Sequence, residues 1–391
     1  MALPSERTLC EEFGVSRATI RKALHEVSLE GLVVQKPFCK PVVATREHTQ
    51  SLNLDRTRYI ALWLWAAADD YGSSQIVLGI QKALQGSKYE LYIPNCKGDD
   101  WENLSSRETE FLEKMVFDQD TSGIITWCMA DSLNLPALQN LRKHNIPIVF
   151  IDRMPPEGFE ADFIGSENFH SSRNVIEQLI SRGHRRISYV KTLDSTSSVY
   201  DRLRGYTSAL NDAGIPYDPS LIYDLKTQEN IPLEKTADSI VEQILSQSNP
   251  PTAIACVNDF VAILIYDALK RMNIQVPSQI SLTGFDGMLR WMPNGGHFST
   301  ADQSFVRIGE AAGRTLLDRL ETESSSPHSY RHILFDAPFR DMGSIATIPP
   351  KPESQFGQAV VENPSLSDSQ IQLVNDDLWN SGIKTAGSPP C

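Results

Sequence analysis

The chain has 391 residues, 41% of them hydrophobic, and its 36 Lys and Arg face 49 Asp and Glu, which gives a formal net charge of −13. This length predicts two or three domains with enough apolar material for a sizeable core. The acidic total excludes a protein coated in basic charge for nucleic acid or anionic lipid, although a local basic patch is still compatible with it. No apolar run in the sequence suits a signal peptide or a membrane span, and the six cysteines lack metal-ligand spacing, so we expect a cytoplasmic protein.

The first 46 residues differ from the rest because they carry seven Lys and Arg against five Glu. Ser5 and Ser16 each precede a short amphipathic segment, and Gly14 separates the two segments. We therefore predict two helices joined by a tight turn. Two apolar stretches follow, at 30–34 and 41–44, and they are predicted to be the strands of a wing.

The second predicted helix is typical of a helix that enters the major groove of DNA. Residues 16–25 include three basic residues and no acidic one, and Arg17, Thr19 and Arg21 lie away from the apolar stripe. Arginine can bond guanine through two nitrogens, and hydroxyl groups bond phosphates or bases. The alternative is an ordinary solvated helix, because a basic amphipathic pattern alone is a weak signal.

Residues 59–343 alternate short apolar runs with longer amphipathic segments, as strands and helices do in parallel sheets. The predicted strands lie at 59–65, 90–93, 123–127, 147–151, 187–190, 253–257 and 280–283. So many strand–helix units predict an α/β fold with two lobes, each on its own parallel sheet, and a ligand site in the cleft between them. We predict a linker at 46–58. Residues 344–391, with six prolines and a net charge of −3, are predicted to be a disordered tail.

Polar side chains follow several predicted strands. Asp152, Asn258 and Asp286 stand at the carboxyl ends of strands, where open α/β sheets bind ligands. Carboxylates and amides at that edge can bond several hydroxyls of a sugar. Aromatic rings can stack on the apolar face of a sugar, and the candidates are Tyr71, Phe163, Tyr223 and Trp291. Asp152 could instead cap its strand or pair with the adjacent arginine, and Asp259 is expected to cap the helix that follows it.

The string LPSERTLCEEFGVSRATIRKALHEVSLEGLVVQ at residues 3–35 resembles the winged helix-turn-helix of the GntR family. By this resemblance the DNA-contacting residues are Arg7, Ser16, Arg17, Thr19 and Arg21. Family members usually have a further helix before this string, and a glycine-rich wing tip where this chain has KPFCKP at 36–41. The resemblance therefore implies a winged helix-turn-helix over residues 1–45 that lacks its first helix. Three apolar side chains would then be partly uncovered: Leu9, Phe13 and Leu24.

Residues 58–343 resemble the effector domain of the LacI/GalR family, which has the two-lobed periplasmic-binding-protein fold. The motifs occur in a fixed order: SSQIVLGI at 73–80, FIDR at 150–153, SRGHRRI at 181–187, RLRGY at 202–206, VND at 257–259 and LTGFD at 282–286. The resemblance implies a homodimer that binds a sugar or sugar derivative between its lobes. From this resemblance and the polar and aromatic residues noted above, we predict eight effector-binding residues: Tyr71, Ser74, Asp152, Phe163, Arg202, Tyr223, Asn258 and Asp286.

The two resemblances together imply a transcription regulator, a repressor of carbohydrate-utilisation genes that a bound sugar releases from operator DNA. Two chains would set their recognition helices about one DNA turn, ~34 Å, or a multiple of it apart. The alternative is a cytosolic sugar-binding module that has lost DNA binding. We do not expect an enzyme, because the sequence has no GxSxG motif, P-loop or metal-ligand cluster. We also expect no cofactor, no metal and no membrane contact, and a structural role for His184 at a helix-to-strand turn.

Overall fold

The computed structural model describes residues 3–29, 33–34, 42–43, 58–64, 71–94, 101–129, 131–192, 196–226, 231–288, 298–322 and 329–349. Within these ranges the chain forms a short helical segment followed by two α/β lobes. Four features of the sequence analysis lie outside them: the linker up to residue 57, the wing tip at 36–41, Trp291 and the tail from residue 350.

The amino-terminal segment forms two helices and a pair of short strands. Helices α1 (Glu6–Phe13) and α2 (Arg17–Leu29) are joined by a turn in which Gly14 has a φ of 65°. Glycine adopts this left-handed conformation without strain and therefore ends α1 cleanly. Strands β1 (Val33–Val34) and β2 (Val42–Val43) pair in antiparallel fashion, as predicted for a wing.

Hydroxyl groups cap both of these helices. The Oγ of Ser5 accepts a hydrogen bond from the backbone N–H of Thr8, and the Oγ of Ser16 accepts one from that of Thr19, each at 3.2 Å. Each bond satisfies a backbone donor that has no partner in the first turn of a helix. The helix-turn-helix predicted from the serine and glycine positions is confirmed.

The first lobe is built on a six-stranded sheet. Its strands are β3 (Arg58–Trp63), β4 (Tyr89–Tyr92), β5 (Thr121–Thr126), β6 (Ile148–Ile151), β7 (Asp162–Ser166) and β13 (His332–Phe335). They are all parallel, in the order β13–β7–β6–β5–β3–β4. One face packs on helices α3 (Tyr71–Leu84) and α10 (Phe305–Glu321), and the other face packs on α4 (Trp101–Phe117) and α5 (Leu135–Lys143).

The second lobe is built on a four-stranded parallel sheet in the order β11–β10–β8–β9. The strands are β8 (Ile187–Thr192), β9 (Ile222–Leu225), β10 (Ala253–Cys256) and β11 (Ser281–Thr283). The helices around it are α6 (Asn168–Ser181), α7 (Ser197–Asp212), α8 (Leu233–Leu245) and α9 (Asp259–Arg271). Short 3₁₀ turns occur at Asp131–Asn134 in the first lobe and Pro219–Leu221 in the second. The predicted α/β fold with two parallel sheets is confirmed.

The chain passes between the lobes three times. It leaves the first lobe between β7 and α6, returns between β12 (Thr300–Ala301) and α10, and leaves again between β13 and β14 (Phe339–Arg340). Strands β12 and β14 pair with each other in antiparallel fashion next to these passages. The residues at the passages therefore stand at the edge where both lobes meet.

Two glycines allow the helices α3 and α10 to touch backbone to backbone. A Cβ atom at Gly79 would overlap the carbonyl oxygen of Val306, and one at Gly309 would overlap that of Ile76. These two helices are thereby held against each other, although the 220 residues 85–304 lie between the end of α3 and the start of α10. This contact joins the two parts of the first lobe, between which the chain forms the second lobe.

The predicted boundary at residue 343 is corrected by the structure. Ser344 and Ile345 are buried in the second lobe, and the backbone N–H of Ile348 donates to the carbonyl of Arg182 at 2.7 Å. The carbonyl of Ser344 also accepts from the backbone of Leu282 in β11 at 3.1 Å. Residues 344–349 therefore belong to the second lobe, because their apolar and backbone groups find partners there.

Candidate functional site

Helix α2 presents a polar face to solvent. The side chains of Arg17 and Arg21 are 68% and 66% exposed, and Thr19 is exposed beside them. The hydroxyl of Ser16 is engaged in capping the helix, so its expected DNA contact would be shared with that role. Arg7 is a residue of α1, but its side chain is outside the described part of the structure.

The sequence analysis missed the role of Glu6, which lies opposite these arginines. Its carboxylate accepts from Nε of Arg21 at 3.1 and 3.2 Å, and it lies 3.5 Å from Nε of Arg17. Ion pairs this exposed contribute little to stability. Phosphates can therefore replace Glu6 at small cost, and the pairs hold both guanidinium groups in position meanwhile.

The apolar residues of α1 and α2 are covered unequally. Phe13 is 65% exposed, in line with the expectation, and Leu9 is half-buried. Leu24 is only 8% exposed, so its predicted exposure is wrong. The reason is that α2 packs on the wing strand β1, where Val33 is buried as well.

Asp152 ends strand β6 and faces the space between the lobes. It has a φ of 60°, and its Oδ2 accepts from the indole N–H of Trp127 at 2.8 Å. Its Oδ1 is buried and has no hydrogen-bond partner among the described residues. A buried carboxylate oxygen without a donor is costly. The unbonded oxygen is therefore available to a ligand donor, and the indole of Trp127 is the bonding partner where the sequence suggested Arg153.

A cavity of about 250 Å³ lies at this edge between the two lobes. Across it the backbone N–H of Met154 donates to the hydroxyl of Ser197 at 3.1 Å, which joins the first lobe to the start of α7. Two of the predicted effector residues, Asp152 and Phe163, line this cavity. The remaining described lining is Met154, Ser166, Glu167, Asn168, Phe169, Ser197, Asp201, Arg204 and Leu334.

Arg202 is 5% exposed and is held on several sides in the second lobe. Its Nε donates to Oδ1 of Asn168 at 2.8 Å, and its Nη1 donates to the carbonyl of Val257 at 2.9 Å. Its Nη1 also lies 3.2 Å from Oδ1 of Asp286, and its guanidinium stacks 3.9 Å from the ring of Phe285. The resemblance implied that Arg202 and Asp286 bind effector, and the structure brings them into contact with each other.

Asp286 is connected by hydrogen bonds to two of the three passages between the lobes. Its φ is 128°, and its Oδ1 also accepts from Nε2 of Gln303 at 2.6 Å. The Oε1 of Gln303 in turn accepts from the hydroxyl of Ser166 at the end of β7. One hydrogen-bonded series thus runs from Arg202 through Asp286 and Gln303 to Ser166, and it connects the end of β7 with the segment that follows β12.

The helix cap expected at Asp259 is supplied by Asn258 instead. Asn258 is the cap of α9, since its Oδ1 accepts from the backbone of Val261 at 2.9 Å. Asp259 is fully buried and accepts from the hydroxyl of Thr300 at 2.7 Å and from the backbone of Met288 at 2.8 Å. The cap expected at Asp259 is corrected accordingly. Burial, together with the negative charge of nearby Asp286, raises the pKa of Asp259 well above its ordinary value.

Six of the eight predicted effector residues do not belong to the described cavity lining: Arg202, Asn258 and Asp286, whose partners are given above, and Tyr71, Ser74 and Tyr223. Tyr71 begins α3 and packs edge-on against Phe305 with ring centroids 6.5 Å apart, and the hydroxyl of Ser74 donates to the carbonyl of Tyr71 at 2.7 Å. The hydroxyl of Tyr223 accepts from Gln247 at 2.6 Å. Gln247 also bonds Arg186, which precedes β8, so Tyr223 points to the amino edge of its sheet and away from the cleft. The aromatic character of Tyr223 did not reveal the direction in which its side chain points.

His184 serves the packing of the second lobe. Its Nδ1 lies 2.8 Å from the hydroxyl of Thr252, and its Nε2 lies 3.1 Å both from the carbonyl of Ala346 and from the hydroxyl of Ser281. Burial lowers its pKa. Within the described residues no cluster of His, Cys, Asp or Glu suits a metal ion, and none of the described helices has the length and apolar character needed to cross a membrane.

Comparison with known families identifies both parts of the chain. Residues 1–37 match the bacterial regulatory proteins of the gntR family, and residues 176–335 match the periplasmic binding protein-like domain. The second match covers most of the second lobe and the return of the chain through α10 and β13. The chain is therefore similar to gntR-family proteins over its helix-turn-helix segment and to the periplasmic binding protein-like domain over residues 176–335.

The similar proteins of known role are transcription repressors. The arabinose metabolism transcriptional repressor of Halalkalibacterium halodurans is 26% identical over 323 residues, which cover 82% of this chain and 83% of that protein. The HTH-type transcriptional repressor PurR of Escherichia coli is 27% identical over 300 residues, which cover 75% of this chain and 84% of that protein. The likeness thus extends across most of each molecule.

Solved structures agree on the fold. A LacI family transcriptional regulator from Enterococcus faecium with bound ribose has a TM-score of 0.62 at 21% identity, covering 75% of this chain and 100% of that one. The complex of the transcriptional regulator CelR with cellobiose has a TM-score of 0.61 at 19% identity, covering 88% of this chain and 100% of that one. The two lobes described above therefore share the fold of these two proteins.

Proposed function

We propose that this protein is a cytoplasmic transcription regulator that represses carbohydrate-utilisation genes until a sugar binds between its lobes. The observation that carries the proposal is the presence, in one chain, of an exposed basic helix and of a cleft with an unbonded buried carboxylate oxygen. The similarity to an arabinose repressor and to regulators with bound ribose or cellobiose supports a sugar as the effector. Because these relatives are transcription regulators, we infer a regulatory role rather than an enzymatic one.

DNA would be recognised by α2. Its exposed guanidinium groups at Arg17 and Arg21 can reach base edges or phosphates, while Thr19 is placed to bond the backbone of the duplex. A homodimer would present two such helices to a palindromic operator, with half-sites one helical turn or a multiple of it apart. The acidic remainder of the chain would then limit binding to other DNA, since it repels phosphate.

The effector would act on the angle between the lobes. A sugar hydroxyl can donate to the free Oδ1 of Asp152 in the first lobe, and other hydroxyls can bond Asn168 and Ser197 in the second. Such a ligand prefers the lobe orientation in which both sets of bonds form. It can change DNA affinity only to the extent that its own affinity differs between the two orientations.

Fluorescence anisotropy with DNA from upstream of the gene and of neighbouring sugar operons tests the proposal. We expect binding that weakens steeply with salt, because phosphate contacts release counterions. Arg17→Ala should weaken it by about tenfold or more, the cost of one lost bidentate base contact. Arg314→Ala is the matched control, since Arg314 is equally exposed but lies on α10 and pairs with Glu310. An unchanged affinity in Arg17→Ala would refute this role for α2.

The alternative function is a sugar-binding module without DNA binding, in which both arginines would stay paired with Glu6. It predicts ligand binding by the two lobes but no salt-sensitive retention of any operator fragment. Glu6→Gln separates the two functions, because it frees both guanidinium groups. Tighter DNA binding by this variant would favour the regulator, and continued absence of binding would favour the module.

A further inference from the structure

The described wall of the cleft carries more negative than positive charge. It contains three carboxylates, Asp152, Glu167 and Asp201, and one guanidinium, that of Arg204. The carboxylates come from both sides: Asp152 ends a strand of the first lobe, Glu167 lies at the first passage between the lobes, and Asp201 is on α7. A ligand held between the lobes therefore meets carboxylates on both sides.

The two described arginines of α7 that lie near the cleft are already engaged. Nη1 of Arg204 lies 3.2 Å from Oδ1 of Asp201, and its side chain is 50% exposed to solvent. Its guanidinium also lies 5.2 Å from the ring of Phe169. Nε and Nη1 of Arg202 donate to Asn168, Val257 and Asp286, so its charge is already balanced by a buried carboxylate with which an anionic ligand would compete.

The three carboxylates make binding of a negatively charged ligand in the cleft unfavourable. Burial raises the pKa of Asp201, the charge and the hydrogen bond of Arg204 lower it in part, and the negative charge of Glu167 raises it further. The buried Oδ1 of Asp152 accepts no hydrogen bond within the described residues and calls for a donor. Hydroxyl and ammonium groups supply donors, whereas an ionised phosphate or carboxylate supplies only acceptors and repels all three groups.

We infer that the effector is a sugar without phosphate or carboxylate, either neutral or bearing an amino group, and that sugar phosphates and sugar acids are excluded. This inference rests on the proposed function, because it concerns the same cleft. It assigns to Glu167 and Asp201 the role of excluding anionic ligands. Glu167 lines the cleft from the passage between β7 and α6, and Asp201 lines it from α7.

Matched ligand sets test the inference on the full chain. Each set contains one sugar in several charge forms, such as D-glucose, D-glucosamine, D-gluconate and D-glucose 6-phosphate, with corresponding sets for D-ribose and L-arabinose. A thermal-shift screen finds the sets that bind, and calorimetry then gives the dissociation constant of each member. We expect the neutral or amino form to bind at least about tenfold more tightly than either anionic form.

Two isosteric variants assign the selectivity to its residues. Glu167→Gln and Asp201→Asn, made singly, should each narrow the ratio between the neutral and anionic forms, because each removes one repelling charge. Glu177→Gln is the matched control: it removes an exposed carboxylate of α6 that pairs with Arg173, and it should leave the ratio unchanged.

The outcomes separate this inference from the proposed function. If an anionic form binds as tightly as its neutral parent, or more tightly, the inference is overturned and the sugar-regulated function stands. If no member of any set binds, the proposed effector class fails and the inference fails with it. If the ratio is large in the unaltered protein but is the same in both cleft variants, the exclusion does not come from these carboxylates and the assignment to them is overturned.

Discussion

Replacing Arg202 with alanine is expected to destabilise the second lobe as well as to affect ligand binding. The substitution removes the donors to Asn168 and to the carbonyl of Val257, together with the ion pair to Asp286 at 3.2 Å. Breaking a buried pair costs about 3–5 kcal/mol, because the remaining charge is left without compensation. Since Gln303 still donates to Asp286 at 2.6 Å, the lower end of that range, about 3 kcal/mol, applies.

This loss translates into a fall in Tm of about 6–12 °C for a domain of this size, which calorimetry can measure. Arg314→Ala is the control, because that side chain is 68% exposed, and it should stay within about 0.5 kcal/mol of the unaltered protein. Adding Asp286→Asn to Arg202→Ala should recover part of the loss, since the uncompensated carboxylate is then gone. A Tm for Arg202→Ala within about 2 °C of the unaltered protein would refute the reasoning and make Arg202 a ligand-binding residue alone.

Three further outcomes are expected. Gly309→Ala, whose Cβ would overlap a carbonyl oxygen of α3, should cost about 3 kcal/mol or more in urea unfolding, whereas Gly72→Ala, whose Cβ meets only a side-chain ring at 3.1 Å, should cost less. Burial lowers the pKa of His184, so the neutral imidazole contributes its full stabilisation of the fold above about pH 6.5 and loses it as the pH falls through the lowered pKa. Between about pH 7.5 and about pH 5.5 the Tm of the unaltered protein should therefore fall by more than the Tm of His184→Gln. A chain that ends at residue 343 should melt below one that ends at 349, and equal melting temperatures would contradict the packing of that segment.

Strands that are apolar throughout and buried on both faces give the clearest signal in the sequence. Ile148–Ile151 and Ala253–Cys256 are buried along their whole length, so they appear as continuous apolar runs. Besides the short pair β12 and β14, three strands were not predicted: Asp162–Ser166, Ile222–Leu225 and His332–Phe335. The first begins with a charged residue, and the last lies at the edge of its sheet with alternate residues exposed.

Asp162 shows why such a strand is hidden in the sequence. It is 2% exposed, and Nη2 and Nε of Arg319 donate to its two oxygens at 2.7 and 2.8 Å. The partner comes from α10, more than a hundred positions further along the chain. A single sequence does not reveal a pairing over that distance. In the sequence, a buried aspartate therefore cannot be distinguished from an exposed one.

Some residues of the cleft could be predicted from the sequence in the same way, and others could not. Asp152 could be predicted because it follows a strong apolar run, and the edge at which strands end is known from the fold class alone. Glu167, Ser197 and Asp201 could not, because they reach the cleft only after the chain crosses to the second lobe and α7 packs beside α6. No residue type or spacing marks that juxtaposition.

The buried series from Arg202 to Ser166 connects the cleft with the movement that the proposed function requires. A buried ion pair is often no more stabilising than well-packed apolar side chains, so stability alone does not account for it. The directional bonds of Asp286 and Gln303, however, define how the end of β7 and the segment after β12 lie beside each other. Those are two of the three segments through which one lobe can turn relative to the other. A ligand shifts the equilibrium between two lobe orientations only by its difference in affinity for them. If these bonds define discrete lobe orientations, the effector can bind one of them more tightly and so raise its population.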